Sequence, residues 1–197
     1  MANLIVITGP QAVGKMTVAE KLKEQSGYSL MTNHDSIELS IKIFENGTKE
    51  QKELNELIRE TVFNTAIKNN NNLIFTFVTA FNSKEDIDYL NKLRLMFEKS
   101  GGEFYLVELK ADVKTRLERN ITPHRLESKQ SKNNIEWSNN ELIESMKKYR
   151  LNSNDDEYIC QNHLKIDNTN LSPEEVANIV IEKFNLISIK KTNQAKK

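Results

Sequence analysis

The stretch TGPQAVGKMTVAE, residues 8–20, decides how the chain reads. Gly9-Pro10-Gln11-Ala12-Val13-Gly14-Lys15 fits the pattern G-x-x-x-x-G-K, and its flanks fit the strand and helix this pattern needs. Upstream, LIVIT (4–8) is short, apolar and β-branched, as a strand buried on both faces should be. Downstream, Val18, Ala19 and Leu22 recur at helical spacing until Gly27 stops them. Glycines let successive backbone N–H groups curl into a concave nest, and a helix start adds free N–H groups and about half a positive charge. The expected ligand is a polyphosphate, with Lys15 as a mobile cation beside it.

Met16 breaks the pattern, because the next residue normally offers a hydroxyl to Mg²⁺ and a thioether is a poor ligand for that hard cation. Thr17 lies one helical step on, rotated by about 100°, and is expected to reach toward an α-phosphate rather than the metal. Phosphate binding should survive with metal affinity weakened.

Outward from the loop, strand-like runs alternate with helical ones. YSLM (28–31), LIFTFV (73–78), EFYLVEL (103–109) and HLKID (163–167) read as strands. Ile37, Ile41 and Phe44 mark a helix that breaks at Asn46-Gly47, and Thr48 with Gln51 opens another through Leu54, Ile58, Val62 and Ala66. Further helices run through Ile87, Leu90, Leu93 and Phe97, and from an Asp112 cap through Val113 and Leu117. Ser138 with Glu141 predicts a capping box, stapled by Trp137 on Leu142, for a helix through Met146 and Tyr149. Ser172, Pro173 and Glu175 start the last helix, with Leu171 stapled on Val176. Such alternation predicts right-handed crossovers and a parallel sheet covered on both faces. Residues 120–137 follow neither period and suggest a functional lid, and the basic tail 188–197 is expected to fray.

At 197 residues a single domain, 1–187, is expected. Lysine plus arginine and aspartate plus glutamate number 28 each, so no overall field draws nucleic acid or a membrane, and any anion site must be local. Cys160 stands alone and reads as a buried thiol in a reducing, cytoplasmic compartment. No export signal or membrane span is visible, and the three histidines are too scattered for a metal cluster.

With these pieces assembled, residues 3–185 resemble the small P-loop kinases of the nucleotide monophosphate and shikimate kinase type. More narrowly, GPQAVGKMTV with NHDSIEL resembles an uncharacterised group of kinase-like ATP-binding proteins that carry GKMT in place of GKST. The resemblance implies a five-stranded parallel sheet, an acceptor-binding helical region at 33–70 and an arginine-bearing lid. It also implies ATP, with Mg²⁺ as companion, and phosphotransfer to a small-molecule or nucleotide acceptor. Gly9 through Thr17 would hold ATP, with Arg116, Asn168 and Thr169 beside it, the last two wrapping the adenine. Lys15, Arg119 and Arg125 would act on the transferring phosphate, and Asn33, His34 and Arg59 on the acceptor.

Thr32-Asn33-His34-Asp35-Ser36-Ile37-Glu38 aligns with the Asp-x-Asp-x-x-Ile-Glu of shikimate kinases, with Thr32 and His34 replacing the aspartates. Thr79-Ala80-Phe81 replaces their glycine triplet, so shikimate is not the expected acceptor. His34 or Asp35 would serve as base. The rival readings are local: His34 tethering a loop, Asp35 capping a helix, Arg59 on a solvated face, Arg116 paired with Asp112, and Asn168-Thr169 as turn chemistry. At the level of the whole chain, the rival to a phosphotransferase is a nucleotide-binding regulator with little turnover, and an acceptor-independent ATPase is a third option.

Overall fold

The computed structural model describes residues 1–121, 135–155, 157 and 160–186, with the backbone alone described for 135–137. Five strands form one sheet: β1 (Leu4–Thr8), β2 (Ser29–Met31), β3 (Leu73–Thr76), β4 (Phe104–Lys110) and β5 (His163–Asp167). Their order is β2-β3-β1-β4-β5, and every pairing is parallel. The strands with apolar sequences lie in the middle, where both faces are covered. LIVIT is buried along its whole length, and β4 is buried up to Lys110.

Side chains alternate between two cores because the strand period is two. Ile5, Ile7, Val107 and Leu109 meet helix α1 (Lys15–Ser26) and the final helix α7 (Pro173–Lys183) through Val18, Leu22, Val176 and Val180. Leu4, Val6, Phe75 and Leu106 meet α3 (Lys49–Lys68) and α4 (Lys84–Lys99) through Phe63, Leu90, Leu93 and Phe97. Each such side chain, fully buried, contributes about 1.5–3 kcal/mol. The remaining helices are α2 (Asn33–Ile41), α5 (Val113–Asn120) and α6 (Ile135–Lys148). Among the described residues no helix is long and apolar enough to cross a membrane.

The cap signals hold with one exception. Thr48, Asp112 and Ser172 accept from the backbone N–H three residues on, at 3.3, 2.6 and 3.2 Å. Gly27 closes α1 with φ 75°. Ser138 does not open its helix, which begins at Ile135. The Ser138 hydroxyl instead meets the Asn120 amide at 3.0 Å, so a tertiary partner has taken the group that a cap would use. The expected Trp137 staple lies outside the described side chains, as do most of the segment 120–137 and the tail 188–197 lie outside the described residues.

The sheet order places the loop after β1 at the switch point, with β2 and β3 laid on one side of β1 and β4 and β5 on the other. In open parallel sheets ligands bind in that crevice, beyond the carboxyl ends of the strands. One charged residue also sits inside β4: Glu108 is 2% exposed. Its carboxylate accepts from Asn152 Nδ2 (2.9 Å), Ser153 N (2.8 Å) and Ser153 Oγ (2.6 Å), and it meets His163 Nε2 at 3.0 Å. Burial pushes its pKa up, but these bonds outweigh burial and hold it below the ordinary glutamate value. The effect is to fasten the chain after α6 to the sheet. Because the folded pKa is depressed, the stabilisation is present above the unfolded-state pKa and is lost as pH falls through the folded one. Glu108→Gln is expected to lower unfolding stability near pH 7 by about 1–3 kcal/mol. Denaturant titrations between pH 7 and 3 should also show the variant losing less stability on acidification than the parent, and equal slopes would refute the assignment.

Candidate nucleotide and acceptor site

Loop 9–14 takes its shape from backbone conformations open to few residues. Gly9 has φ 135° and Gly14 φ 103°, and Ala12 is left-handed at φ 58°. A Cβ on Gly9 would stand 2.4 Å from the carbonyl oxygen of Leu109, so glycine is required by contact as well as by φ. Gly14 caps α1 without a side chain, and no acidic residue lies in the first turn of that helix. Nothing in the sequence of this turn competes with an anion for the leading N–H groups.

Four of the loop's carbonyls, those of Gly9, Pro10, Gln11 and Val13, accept from side chains outside the loop. Lys15 Nζ donates to Gly9 O (2.6 Å) and Pro10 O (2.8 Å). Arg116 Nε donates to Gln11 O at 2.8 Å, and Arg119 Nη1 to Val13 O at 3.1 Å. Asn168 Nδ2 donates to Val13 O at 2.8 Å, while Arg119 Nη2 holds the carbonyls of Asn168 (2.8 Å) and Thr169 (3.3 Å). The held carbonyls of Pro10, Gln11 and Val13 belong to peptides whose N–H groups, those of Gln11, Ala12 and Gly14, point the opposite way, while the Gly9–Pro10 peptide has no N–H to offer. Three cations therefore surround one loop in a chain of zero net charge.

Several expected site residues occupy places that sequence spacing did not suggest. Arg116 is buried beneath the loop rather than displayed over it, with Nη1 3.2 Å from Met146 Sδ. Arg119 braces the loop against the β5–α7 connection. Asn168 is buried behind Gly14. Thr169 donates to Asp167 Oδ1 (2.7 Å) and accepts from Asp112 N (3.1 Å), which is turn chemistry. Arg125 lies outside the described residues.

On the opposite wall, beyond β2 and β3, Asn33 N donates to Thr76 Oγ1 at 3.1 Å, and Thr8 Oγ1 donates to Thr79 Oγ1 at 2.8 Å. Arg59 is 8% exposed and sits over the rings of Phe75 and Phe77, 5.7 and 5.8 Å from their centroids. Its guanidinium donates to Asn33 Oδ1 (2.5 Å) and Ser36 Oγ (2.9 Å), both neutral. This is a buried cation rather than a member of a solvated face. Asp35 accepts from Thr32 N at 2.6 Å, as the third residue of α2 reaching back to its cap. His34 is half-buried on the same first turn. Cys160 is buried, and burial pushes its thiol up to about 11, which makes it unreactive.

Magnesium fits this site poorly on the protein side. Met16 offers sulfur, and the Thr17 hydroxyl donates to Gly14 O at 2.9 Å instead of standing at the phosphate mouth. Asp35, Asp86 and Asp112 each spend a carboxylate oxygen on a backbone N–H. Among the described residues no group of three metal-ligating side chains occurs.

Sequence reasoning missed Gln11 as a side chain, Ser145, Arg150 and the Glu108 cluster. Only Glu108 left a signal, as an acidic residue inside the apolar run EFYLVEL.

No family model matches the chain, and no curated protein matches it in sequence. Solved structures do match in fold. A shikimate kinase from Acinetobacter baumannii, in complex with shikimate, aligns at 18% identity and TM-score 0.56 over 94% of either chain. A sugar kinase from Janibacter aligns at 12% identity and TM-score 0.57, covering 94% of this chain and 96% of that one. The tunicamycin resistance protein of Deinococcus radiodurans aligns at 16% identity and TM-score 0.54, covering 95% and 98%. The five-stranded parallel sheet with helices around it is thus the P-loop kinase fold.

The replaced hydroxyl gives a direct test. Titration calorimetry with ATP should show affinities within about threefold with Mg²⁺ and with EDTA for the natural chain, because Met16 offers the ion no hydroxyl. Met16→Thr should make binding tighter with Mg²⁺ than with EDTA by about tenfold, and an unchanged ratio would show that this position does not set metal dependence.

Proposed function

We propose that the protein is an ATP-binding P-loop phosphotransferase that moves the γ-phosphoryl group of ATP to a small-molecule or nucleotide acceptor. The observation that carries this reading is the loop itself. Its carbonyls are held from outside by Lys15, Arg116, Arg119 and Asn168, and its glycines and helix start face the cup. The shared fold with kinases supports the same reading.

In this reading the chain 1–187 is one domain. Lys15 leaves the carbonyls of Gly9 and Pro10 to follow the β- and γ-phosphates, so a cation is exchanged from backbone to ligand without leaving the site. Arg116 and Arg119 act through the loop they brace, and Arg125 of the segment 120–137 is assigned to the transferring phosphate on its sequence alone. A Mg²⁺ ion bound with ATP would supply charge neutralisation at the phosphates, and Met16 would not hold it. The acceptor region is 33–70, with α2 and α3 as its walls.

Arg59 gives that region its electrostatic character. Its hydrogen-bond partners Asn33 and Ser36 are neutral, and no carboxylate among the described residues lies within ion-pair distance of it. A buried cation paired this way leaves positive potential for an anionic group on the acceptor. His34 stands at the carboxyl end of the sheet, where it can take a proton from an acceptor hydroxyl, and Asp35 orients the turn that carries it. A nucleotide-binding regulator with little turnover is the second reading. The thioether at Met16 favours it, together with the absence of a carboxylate in Thr76–Phe81 after the third strand.

An ADP-release assay over nucleosides, nucleotides, sugars and small hydroxy acids separates the two. The phosphotransferase reading expects at least one acceptor to stimulate release, and Lys15→Ala to reduce that rate by about 10²–10³. Tight ATP binding with no stimulated release by any acceptor would favour the regulator.

A further inference from the structure

Helix α6 touches three parts of the cleft. Near its start, the Asn120 amide at the end of α5 donates to Ser138 Oγ (3.0 Å) and Asn139 Oδ1 (2.7 Å). Two turns further on, the Ser145 hydroxyl lies 3.0 Å from the side-chain oxygen of Gln11 in the phosphate loop and 2.9 Å from Leu142 O, so its one proton is shared between Gln11 and the preceding turn. The neighbouring Met146 contacts Arg116, which holds the main-chain oxygen of the same Gln11.

Just past the helix, Arg150 binds the connection between β3 and α4. Its carbonyl accepts from Phe81 N at 2.7 Å, its own N–H donates to Asn82 Oδ1 at 2.9 Å, and Nη2 donates to Phe81 O at 2.9 Å. The Glu157 carboxylate pairs with the guanidinium and fixes its direction. The bound connection includes Thr79, whose hydroxyl meets Thr8 at the end of β1.

We propose that α6 is a strut coupling the phosphate loop to the acceptor-side connection 79–83, with Ser145 and Arg150 as positioning residues at the two points of attachment. The proposal rests on the phosphotransferase reading, which places ATP at one end and the acceptor at the other. Ser145 and Arg150 are five residues apart, the first inside α6 and the second two residues beyond its end at Lys148, so a short stretch of chain joins them. Entry of a polyphosphate draws Lys15 off Gly9 and Pro10 and so disturbs the Pro10–Gln11 peptide just before Gln11. Gln11 reports that change twice, through its carbonyl to Arg116 and through its side chain to Ser145. Arg150 then delivers it as a change in how firmly Phe81 is held. Two sites biasing one packed element is the physical requirement for coupling.

Hydrogen exchange of the full chain, with ATP as the only added ligand, tests this without knowledge of the acceptor. ATP is expected to slow exchange of the Phe81 amide by about fivefold or more, the low end of ordinary site coupling. Ser145→Ala keeps a good helix former at the position, so the chain should fold and still bind ATP while losing the response at Phe81. Ser145→Thr restores the hydroxyl and should restore the response, which a merely structural role would not require. Arg150→Met should abolish it from the other end. Calorimetry run alongside separates the two levels: absence of ATP binding overturns the phosphotransferase reading and this one with it. Binding with no change at Phe81, or a full response in Ser145→Ala, overturns the strut alone.

Discussion

A cup lined with main-chain amides can exist only if the carbonyls of the same peptides find donors on the outside. Each buried carbonyl left unpaired costs about 1–3 kcal/mol, enough for a short loop to collapse onto itself. Here the outside is supplied by residues from three distant parts of the chain: Lys15 from the adjoining helix, Arg116 and Arg119 from α5, and Asn168 from the turn after β5. The placement of α5 beside β1, and the pairing of β5 with β4, are thereby conditions for the loop as much as parts of the core. Arginine suits this duty because its planar fork can hold two or three oxygens at fixed angles, as Arg119 does for Val13, Asn168 and Thr169.

The opposite wall follows a different rule. There the cation is single and buried, stacked over Phe75 and Phe77 and hydrogen-bonded to neutral side chains. Neutral partners satisfy the donors of Arg59 without cancelling its charge. Tyr89 registers that charge: burial holds its phenol above the ordinary value, and the nearby guanidinium works against burial. The two walls thus present positive potential from opposite sides, one mobile through Lys15 and one fixed through Arg59. Glu108 adds the only deeply buried carboxylate of β4, and its bonds to Asn152 and Ser153 hold in place the segment from which Arg150 reaches the cleft.

What the sequence disclosed follows from range. LIVIT, the glycine spacing, the Asp112 and Ser172 caps and the apolar stripe through Leu90, Leu93 and Phe97 are local patterns, and each corresponds to an element found in the fold. The roles of the arginines are not local. Arg116 meets Gln11 across 105 residues, and Asn168 meets Val13 across 155. Helical spacing correctly put Arg116 and Arg119 on neighbouring positions of one helix, but it carried no information about whether that face looked at phosphate or at the back of the loop. Ser138 failed for a related reason: a Ser-x-x-Glu string is a cap only where no other partner claims the hydroxyl, and Asn120 claims it. Arg59 shows the same limit, since the sequence left both an acceptor role and a solvated face open, and only the aromatic rings that cover it remove the second.

The replacement of a hydroxyl by Met16 gains meaning from the same bonds. In a loop with one serine or threonine after the lysine, the metal ion shares the work of neutralising a triphosphate with the protein. Here the hydroxyl two residues after the lysine, that of Thr17, is turned to Gly14, and the carboxylates of Asp35, Asp86 and Asp112 are engaged with backbone amides. Protein cations stand in greater number instead, with Lys15, Arg116 and Arg119 all within one loop's reach. Charge supplied by side chains is fixed by the fold, whereas charge supplied by an ion must be gathered and oriented at each turnover. In the proposed reading, such a site would trade precise placement of the metal for a phosphate grip already assembled before any ion arrives.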